Sequence, residues 1–459
     1  MTVTTAAERL VLCLLLCAAS IGQASAQQTD REMIDELRQR LAASEKRIEA
    51  LESKLATALA LLPTPAAAPV AAPVAVSAAP VPANTPAPPA NDPAPHDAMG
   101  MGMDNSSGGA HLKLPGGPVV NIRGFFDFNF GIGSYANPLV FPISNNGCGN
   151  CGNPVTPPHT TFQAGQFALF MNSQISNKLS FLAEVAYSPD SSNTWGLDVE
   201  RYQLTYRWNR YLSASAGRMH TSIGYYNTAY HHGTWFSTAQ GRPIMYLFED
   251  SGGVLPVHIV GASVTGEVPG TEKLGLHWVA EVGNGRTPGP STAPVQNFLS
   301  DRNYKAVNLA AYIRPDGIPG LQLGGSFYHD RLAPAGLPRV NQNIGSVYAA
   351  YVTPDWEFLN EAVLLSNHVQ GVRDAYGSPM AYTQISRKFG IYRPYFRYQY
   401  VNDNQKDPVN ILTGRYYGPS VGLRIDFTQF ATFKLQYNRL FQSNQLTGNG
   451  LNSQIAFTF

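Results

Sequence analysis

From about residue 118 to the C-terminus, polar and apolar positions alternate with a period of two in segment after segment. In the last one, Leu451, Ser453, Ile455, Phe457 and Phe459 share one face, and Asn452, Gln454, Ala456 and Thr458 share the other. That period marks a strand whose two faces meet different surroundings. Sixteen such segments are expected, near 119–132, 163–175, 179–188, 198–208, 211–218, 257–267, 273–283, 303–314, 321–331, 341–353, 356–369, 378–389, 392–402, 414–427, 430–442 and 450–459. The connections between them alternate. Tight ones (176–178, 209–210, 269–272, 315–320, 354–355, 390–391, 428–429) follow the even-numbered segments, and long ones (133–162, 189–197, 219–256, 284–302, 332–340, 370–377, 403–413, 443–449) the odd. An antiparallel sheet with all its long loops at one end produces that rhythm.

Upstream the period changes. Ile34, Leu41, Ile48, Leu55 and Leu62 recur every seventh residue, and Leu37, Ser44, Leu51 and Ala58 fall at the second core position of the same heptad. This predicts a coiled-coil helix within 27–62, with Thr29 or Asp30 as its cap and Glu32, Asp35 and Glu36 in its first turn. Arg47-Ile48-Glu49-Ala50-Leu51-Glu52 is similar to the Arg-h-x-x-h-Glu motif of short trimeric coiled coils, which implies trimerisation through Arg47, Ile48, Leu51 and Glu52. Between helix and strands, 63–117 is Pro/Ala-rich and then Gly/Met-rich, a spacer without a hydrophobic period. His96, Met99, Met101 and Met103 could offer soft ligands to Cu(I), but the run reads first as linker.

The two ends say where such a sheet belongs. Arg9, the apolar run 10–22 and Ala24-Ser25-Ala26 form a secretory signal with an A-x-A cleavage site, so 1–26 is expected to be removed. No later stretch reaches the roughly 20 apolar residues of a membrane helix. A membrane protein of this sequence must therefore cross as a closed barrel of strands. An aromatic-tipped terminal strand is a hazard as a soluble edge and is at home where the last strand pairs with the first. The ending resembles the C-terminal Phe signal of Gram-negative outer-membrane barrels, which implies recognition of Phe459 by the barrel-assembly machinery.

Composition agrees. Charged residues make up 14% and aromatics 11%, with 23 Tyr and 22 Phe, as a polar-inside, apolar-outside barrel with aromatic girdles requires. A net charge of +1 conceals a division: residues 110–459 carry 25 Lys and Arg against 20 Asp and Glu, and residues 1–109 carry 7 against 11. No nucleic-acid partner is indicated. Because a charge facing lipid costs about 2–4 kcal/mol at the midplane, the charged positions of the strands belong in the lumen. The pore-lining candidates are Arg123, Asp127, Arg201, Arg207, Arg393, Arg397, Arg424 and Lys434. Outward positions include Phe126 and Phe128; Tyr202, Leu204 and Tyr206; and Phe396, Tyr398 and Tyr400. The basic excess of the lumen fits either a weak anion preference or cross-lumen salt bridges.

The longest aromatic-rich connection, 219–256, is too long to be an idle turn. His220, His231, His232, Arg242, Glu249 and Asp250 are its constriction candidates. Their residue types also suit a metal site or a hydrolase, but neither His-Glu-x-x-His nor Gly-x-Ser-x-Gly occurs. No catalytic residue, metal or cofactor is expected. Cys148 and Cys151, in Cys-Gly-Asn-Cys, are the cysteines that remain after processing, and an oxidising exterior favours a small disulfide staple between them.

The whole arrangement resembles the trimeric porins of Gram-negative outer membranes, in particular the phosphate-selective group, with a coiled coil ahead of a sixteen-strand barrel. The resemblance implies an all-β transmembrane antiparallel barrel at 118–459 in a homotrimer, in contact with outer-membrane lipid and lipopolysaccharide, with the coiled coil in the periplasm. It also implies that the third extracellular loop, 219–256, folds into the lumen. The expected function is passive diffusion of small hydrophilic solutes. A barrel plugged by its own loop and tethered by its coiled coil is the alternative, and an outer-membrane hydrolase the third reading.

Overall fold

The computed structural model describes Lys46 and residues 110–113, 117–133, 160–189, 194–230, 235–247, 253–288, 294–295, 298–299, 303–334, 336–409, 414–443 and 447–459. The expected signal peptide, coiled coil (with Arg47, Ile48, Leu51 and Glu52) and spacer lie outside the described residues, apart from Lys46 and part of 110–117. So do Cys148, Cys151, His231, His232, Glu249 and Asp250.

Sixteen antiparallel strands form the wall: β1 (Val119–Gly133), β2 (Thr160–Gln174), β3 (Leu179–Pro189), β4 (Trp195–Asn209), β5 (Leu212–His220), β6 (His258–Glu267), β7 (Leu276–Gly283), β8 (Ala306–Ile313), β9 (Leu321–Leu332), β10 (Val340–Val352), β11 (Trp356–Val369), β12 (Tyr376–Arg387), β13 (Tyr392–Asn402), β14 (Arg415–Asp426), β15 (Ala431–Gln442) and β16 (Gly448–Thr458). Each pairs with its sequence neighbours, and β16 pairs with β1 from Gly450↔Gly133 to Thr458↔Phe125. Phe459 completes the seam, its N–H donating to the Gly124 carbonyl at 3.1 Å and its carbonyl accepting from Gly124 N–H at 3.2 Å. The barrel is closed, so no strand edge is left along the seam. Where β16 ends, the short strand Ala110–Lys113 pairs with Val119–Ile122 of β1. Because β2 occupies the other edge of those residues, the short strand extends the β16 side of the seam.

The alternation of faces follows the sequence. On β4, Tyr202, Leu204 and Tyr206 are exposed, whereas Arg201 and Gln203 are buried. On β13, Phe396 and Tyr398 face out, and Tyr395 and Arg397 face in. Bulges at Phe126/Phe128, Glu184/Ala186 and Arg207/Asn209 shift the register locally. Arginines that do face outward lie against aromatic rings. Arg331 is 4.4 Å from the Tyr304 centroid, Arg387 is 4.8 Å from Trp356, and Arg439 is 5.0 Å from Phe441. Such pairs keep the charge at the rim while the stem covers apolar surface.

The largest apolar cluster lies inside the barrel. Ile223, Tyr226, Ile244, Met245, Tyr246, Leu247 and Leu255 of the β5–β6 connection pack on inward-facing Tyr328, Ile344, Leu359, Val363, Leu365, Met380, Tyr382, Val401 and Leu440.

Candidate functional site

The lumen and the loop between β5 and β6 form the candidate site. The loop leaves the wall through a pinned neck. Thr221 N–H donates to the Val257 carbonyl at 3.0 Å, and the Thr221 hydroxyl to the Pro256 carbonyl. The Asn227 amide donates to the carbonyls of Thr221 at 2.8 Å and Val257 at 3.0 Å. Gly224 then turns with φ +72, in the left-handed region that suits a residue without Cβ. A Cβ there would meet Tyr246 Oη at 2.0 Å and Glu361 Oε2 at 2.2 Å. The turn aims two successive backbone N–H groups at Glu361 of β11, from Tyr225 at 2.9 Å and Tyr226 at 2.8 Å. The hydroxyls of Tyr246 (2.7 Å) and Tyr382 (2.5 Å) donate to the same carboxylate. Burial, and then the neighbouring Glu361 charge, holds the Tyr246 phenol well above its ordinary pKa, so it remains a donor.

One turn of helix, α1 (Tyr226–Ala229), carries the chain on. The hydroxyls of Tyr230 and Thr238 donate to Glu357, four residues before Glu361 and on the same inward face of β11, at 3.2 and 3.1 Å. Between them Trp235 and Phe236 cross to the opposite side and pack on Phe125, Ala168, Phe170, Leu182 and Ala186. Arg424 of β14 donates through Nη1 to the carbonyls of Trp235 (2.8 Å), Phe236 (3.3 Å) and Ser237 (3.1 Å) and pairs through Nε with Asp426 at 2.7 Å. Gln240 and Gln436 exchange two bonds of 3.0 Å each, like a rung of a ladder. Arg397 Nη1 donates to the Gly241 carbonyl at 2.9 Å, and Ile244 N–H to Gln399 Oε1 at 2.7 Å. On return, Gly253 accepts from Arg286 Nη1 at 2.7 Å.

Of the constriction candidates, Arg242 is buried within the inward-folded loop. His220 is the last residue of β5, buried with its ring 5.2 Å from His258, so it sits at the wall rather than in the body of the loop. The pore-lining candidates divide. Asp127, Arg201, Arg397, Arg424 and Lys434 are buried in the interior, and Arg123, Arg207 and Arg393 are half-buried. Asp127 accepts from Gln166 N–H at 3.1 Å and from Asn129 at 2.5 Å. Arg201 pairs with Glu184 at 2.8 Å. Arg393 reaches the Pro354 carbonyl at 2.7 Å, at a tight turn.

The candidates read from sequence omitted Glu357, Glu361, Glu200, Arg218 and Arg286. Glu357 and Glu361 lie in the alternating segment 356–369, and their parity was the available signal. Glu200 and Arg218 belong with His258 to one buried group: His258 Nε2 is 3.6 Å from Glu200, and Arg218 Nη2 is 3.2 Å from His258 Nδ1. The interior therefore holds more carboxylates than the sequence reading counted. Among the described residues no group of three His, Cys, Asp or Glu side chains is placed to hold a metal ion.

No protein-family model and no curated protein matches the chain. Solved structures do. The barrel resembles those of outer-membrane porins. The outer membrane channel DcaP of Acinetobacter baumannii matches with 12% identity and a TM-score of 0.52, over 76% of this chain and 100% of that one. OmpF of Salmonella typhi, solved in complex with daunomycin, matches with 13% identity and a TM-score of 0.51, over 76% of this chain and 100% of that one. At such identities the likeness is one of fold.

Proposed function

We propose that the chain is an outer-membrane porin, a passive diffusion channel for small hydrophilic solutes with a mild anion preference. The observation that carries the reading is a closed sixteen-strand wall, apolar outside, whose long β5–β6 loop lies inside it and is hydrogen-bonded to β11, β13, β14 and β15. A barrel of this strand number is wide enough for an aqueous channel, and a loop folded across it sets the free width. The charges support anions over cations through their placement. Glu357 and Glu361 are occupied by donors from the loop, while β13–β15 carry Arg397, Arg424 and Lys434 side by side, of which Arg424 pairs with Asp426. Arg242 is assigned to the same constriction, and His231, His232, Glu249 and Asp250, which lie outside the described residues, are proposed with it on their place in the loop sequence. The unit is a homotrimer joined through the coiled coil 27–62, in the periplasm, with the barrel in lipid and lipopolysaccharide and Phe459 as its assembly signal.

Planar-bilayer recording of the refolded protein across a salt gradient tests this. Conductance steps in threes with an anion-favouring reversal potential are expected. A second reading has its own observation: every described residue from 221 to 247 is buried or half-buried. Silence from folded, inserted protein would mean a barrel plugged by its loop and favour the reading in which the coiled coil tethers it, or that of an outer-membrane hydrolase.

A further inference from the structure

A cavity of about 20 Å³ lies between the inward-folded loop and the wall of β13–β15. Its origin is a difference in side-chain length. In register, Arg397 lies opposite Ser420, and Ser420 opposite Asn438; Gln399 lies opposite Gly418. β14 thus contributes Gly418 and Ser420 between the long side chains of β13 and β15, and the loop residues Gln240 and Arg242 roof the gap.

The lining is one-sided in charge. Arg242, Arg397 and Arg439 are among its lining residues, and among the described residues no Asp or Glu lines it. Arg397 is 1% exposed. Its Nε donates to Gln384 at 2.7 Å and its Nη1 to Gly241, and its buried Nη2 has no acceptor among the described residues. No carboxylate of the described residues lies within ion-pair distance of it. At Gln399, the bond from Ile244 N–H fixes Oε1 as the acceptor, so Nε2 is the end left to donate. Ser420 is buried and lines the cavity opposite Arg397. Gln436, by contrast, is fully engaged with Gln240, Tyr395 and Asn438. A buried donor without an acceptor is costly, and a buried cation without a counter-charge more so. Water would answer the first need and leave the second. A monovalent anion answers both, and the volume suits a group of about one or two water sizes.

We infer that the cavity formed by Arg242, Arg397, Gln399 and Ser420 binds one small monovalent anion, a halide or the carboxylate head of a small solute. The inference deepens the channel reading, on which it rests for solute access, by naming the chemistry that the wall holds.

The test is chloride NMR line broadening by the folded, full-length protein in detergent, titrated with formate. Saturable broadening that formate removes is expected. Arg397→Gln should weaken chloride by about tenfold or more, the loss of a charge-assisted bond. Because Arg397 also holds Gly241, Ser420→Asp serves as the second variant: it keeps Arg397 and places a tethered carboxylate beside it, and it should abolish the saturable broadening. Arg387→Gln, whose side chain is on the outer surface against Trp356 and away from the cavity, should leave it unchanged. No saturable broadening in the native protein, or broadening that survives Ser420→Asp, overturns the site. Conductance recorded in parallel separates the two readings. A silent barrel with Ser420→Asp-sensitive broadening refutes the channel and keeps the site; a conducting barrel without such broadening refutes the site alone.

Discussion

Glu361 accepts from two backbone N–H groups and two phenols, and among the described residues no cation lies within ion-pair distance of it. Its charge is held by oriented neutral donors, three of them from the loop. Glu361→Gln keeps the shape but turns an N–H₂ toward groups that themselves donate. Leaving such donors unmatched costs about 1–3 kcal/mol. Amide exchange at Tyr225 and Tyr226 should then accelerate by roughly 5- to 150-fold while the barrel stays folded. Unchanged exchange would show that the loop is docked by its apolar contacts instead. The Arg201–Glu184 pair is different, because it is a true buried ion pair on adjacent strands. Removing one partner strands the other charge, so Arg201→Met should cost about 3–5 kcal/mol in urea unfolding. Arg201→Met combined with Glu184→Leu should recover most of that loss. A double variant as unstable as the single one would contradict the pairing argument.

At the scale of the element, the strands were legible because each has one face in an apolar and one in a polar setting. The period-two signal of β1, β4, β13 and β16 carried their faces directly into the structure. It faded on β11, where the inward residues Glu357, Leu359, Glu361, Val363 and Leu365 mix charge with aliphatic bulk. The reason is the loop. Wall under an inward-folded, aromatic-rich segment is a protein core, not a wetted lumen, and it needs Leu and Val as much as acceptors. Phe125 of β1 shows the same effect, facing in toward Phe236 with ring centroids 4.9 Å apart. Which strands the loop would cover is a tertiary fact that no local pattern encodes, and for that reason the latch carboxylates were missed while the arginines of isolated polar faces were found. This assigns the loop a measurable role. Replacing 226–246 with a short Gly/Ser linker should raise the unitary conductance severalfold, because an unobstructed sixteen-strand lumen is an aqueous channel. An unchanged step size would mean that ions take a path the loop does not narrow.

For the whole molecule, closure decides what depends on what. Every strand from β1 to β16 has both neighbours within the same chain, and Phe459 completes the seam at Gly124. The backbone of the barrel is therefore satisfied without a second copy, as a lipid-embedded sheet requires. The proposed trimer would therefore draw on surfaces other than strand edges. The coiled coil expected from the heptads of 27–62, which lies outside the described residues apart from Lys46, would supply one such surface through Ile and Leu at its core positions with Arg47 and Glu52. If the coiled coil is what joins the copies, oligomeric state and barrel stability separate cleanly. Deleting 29–62 should convert trimers to monomers by mass photometry, while each barrel keeps its heat-resistant mobility on gels and its unitary conductance. Trimers that persist after the deletion would move the contact to the outer wall. A deletion that also abolishes the heat-resistant form would show that the helix acts earlier, in folding the barrel itself, which the complete seam argues against.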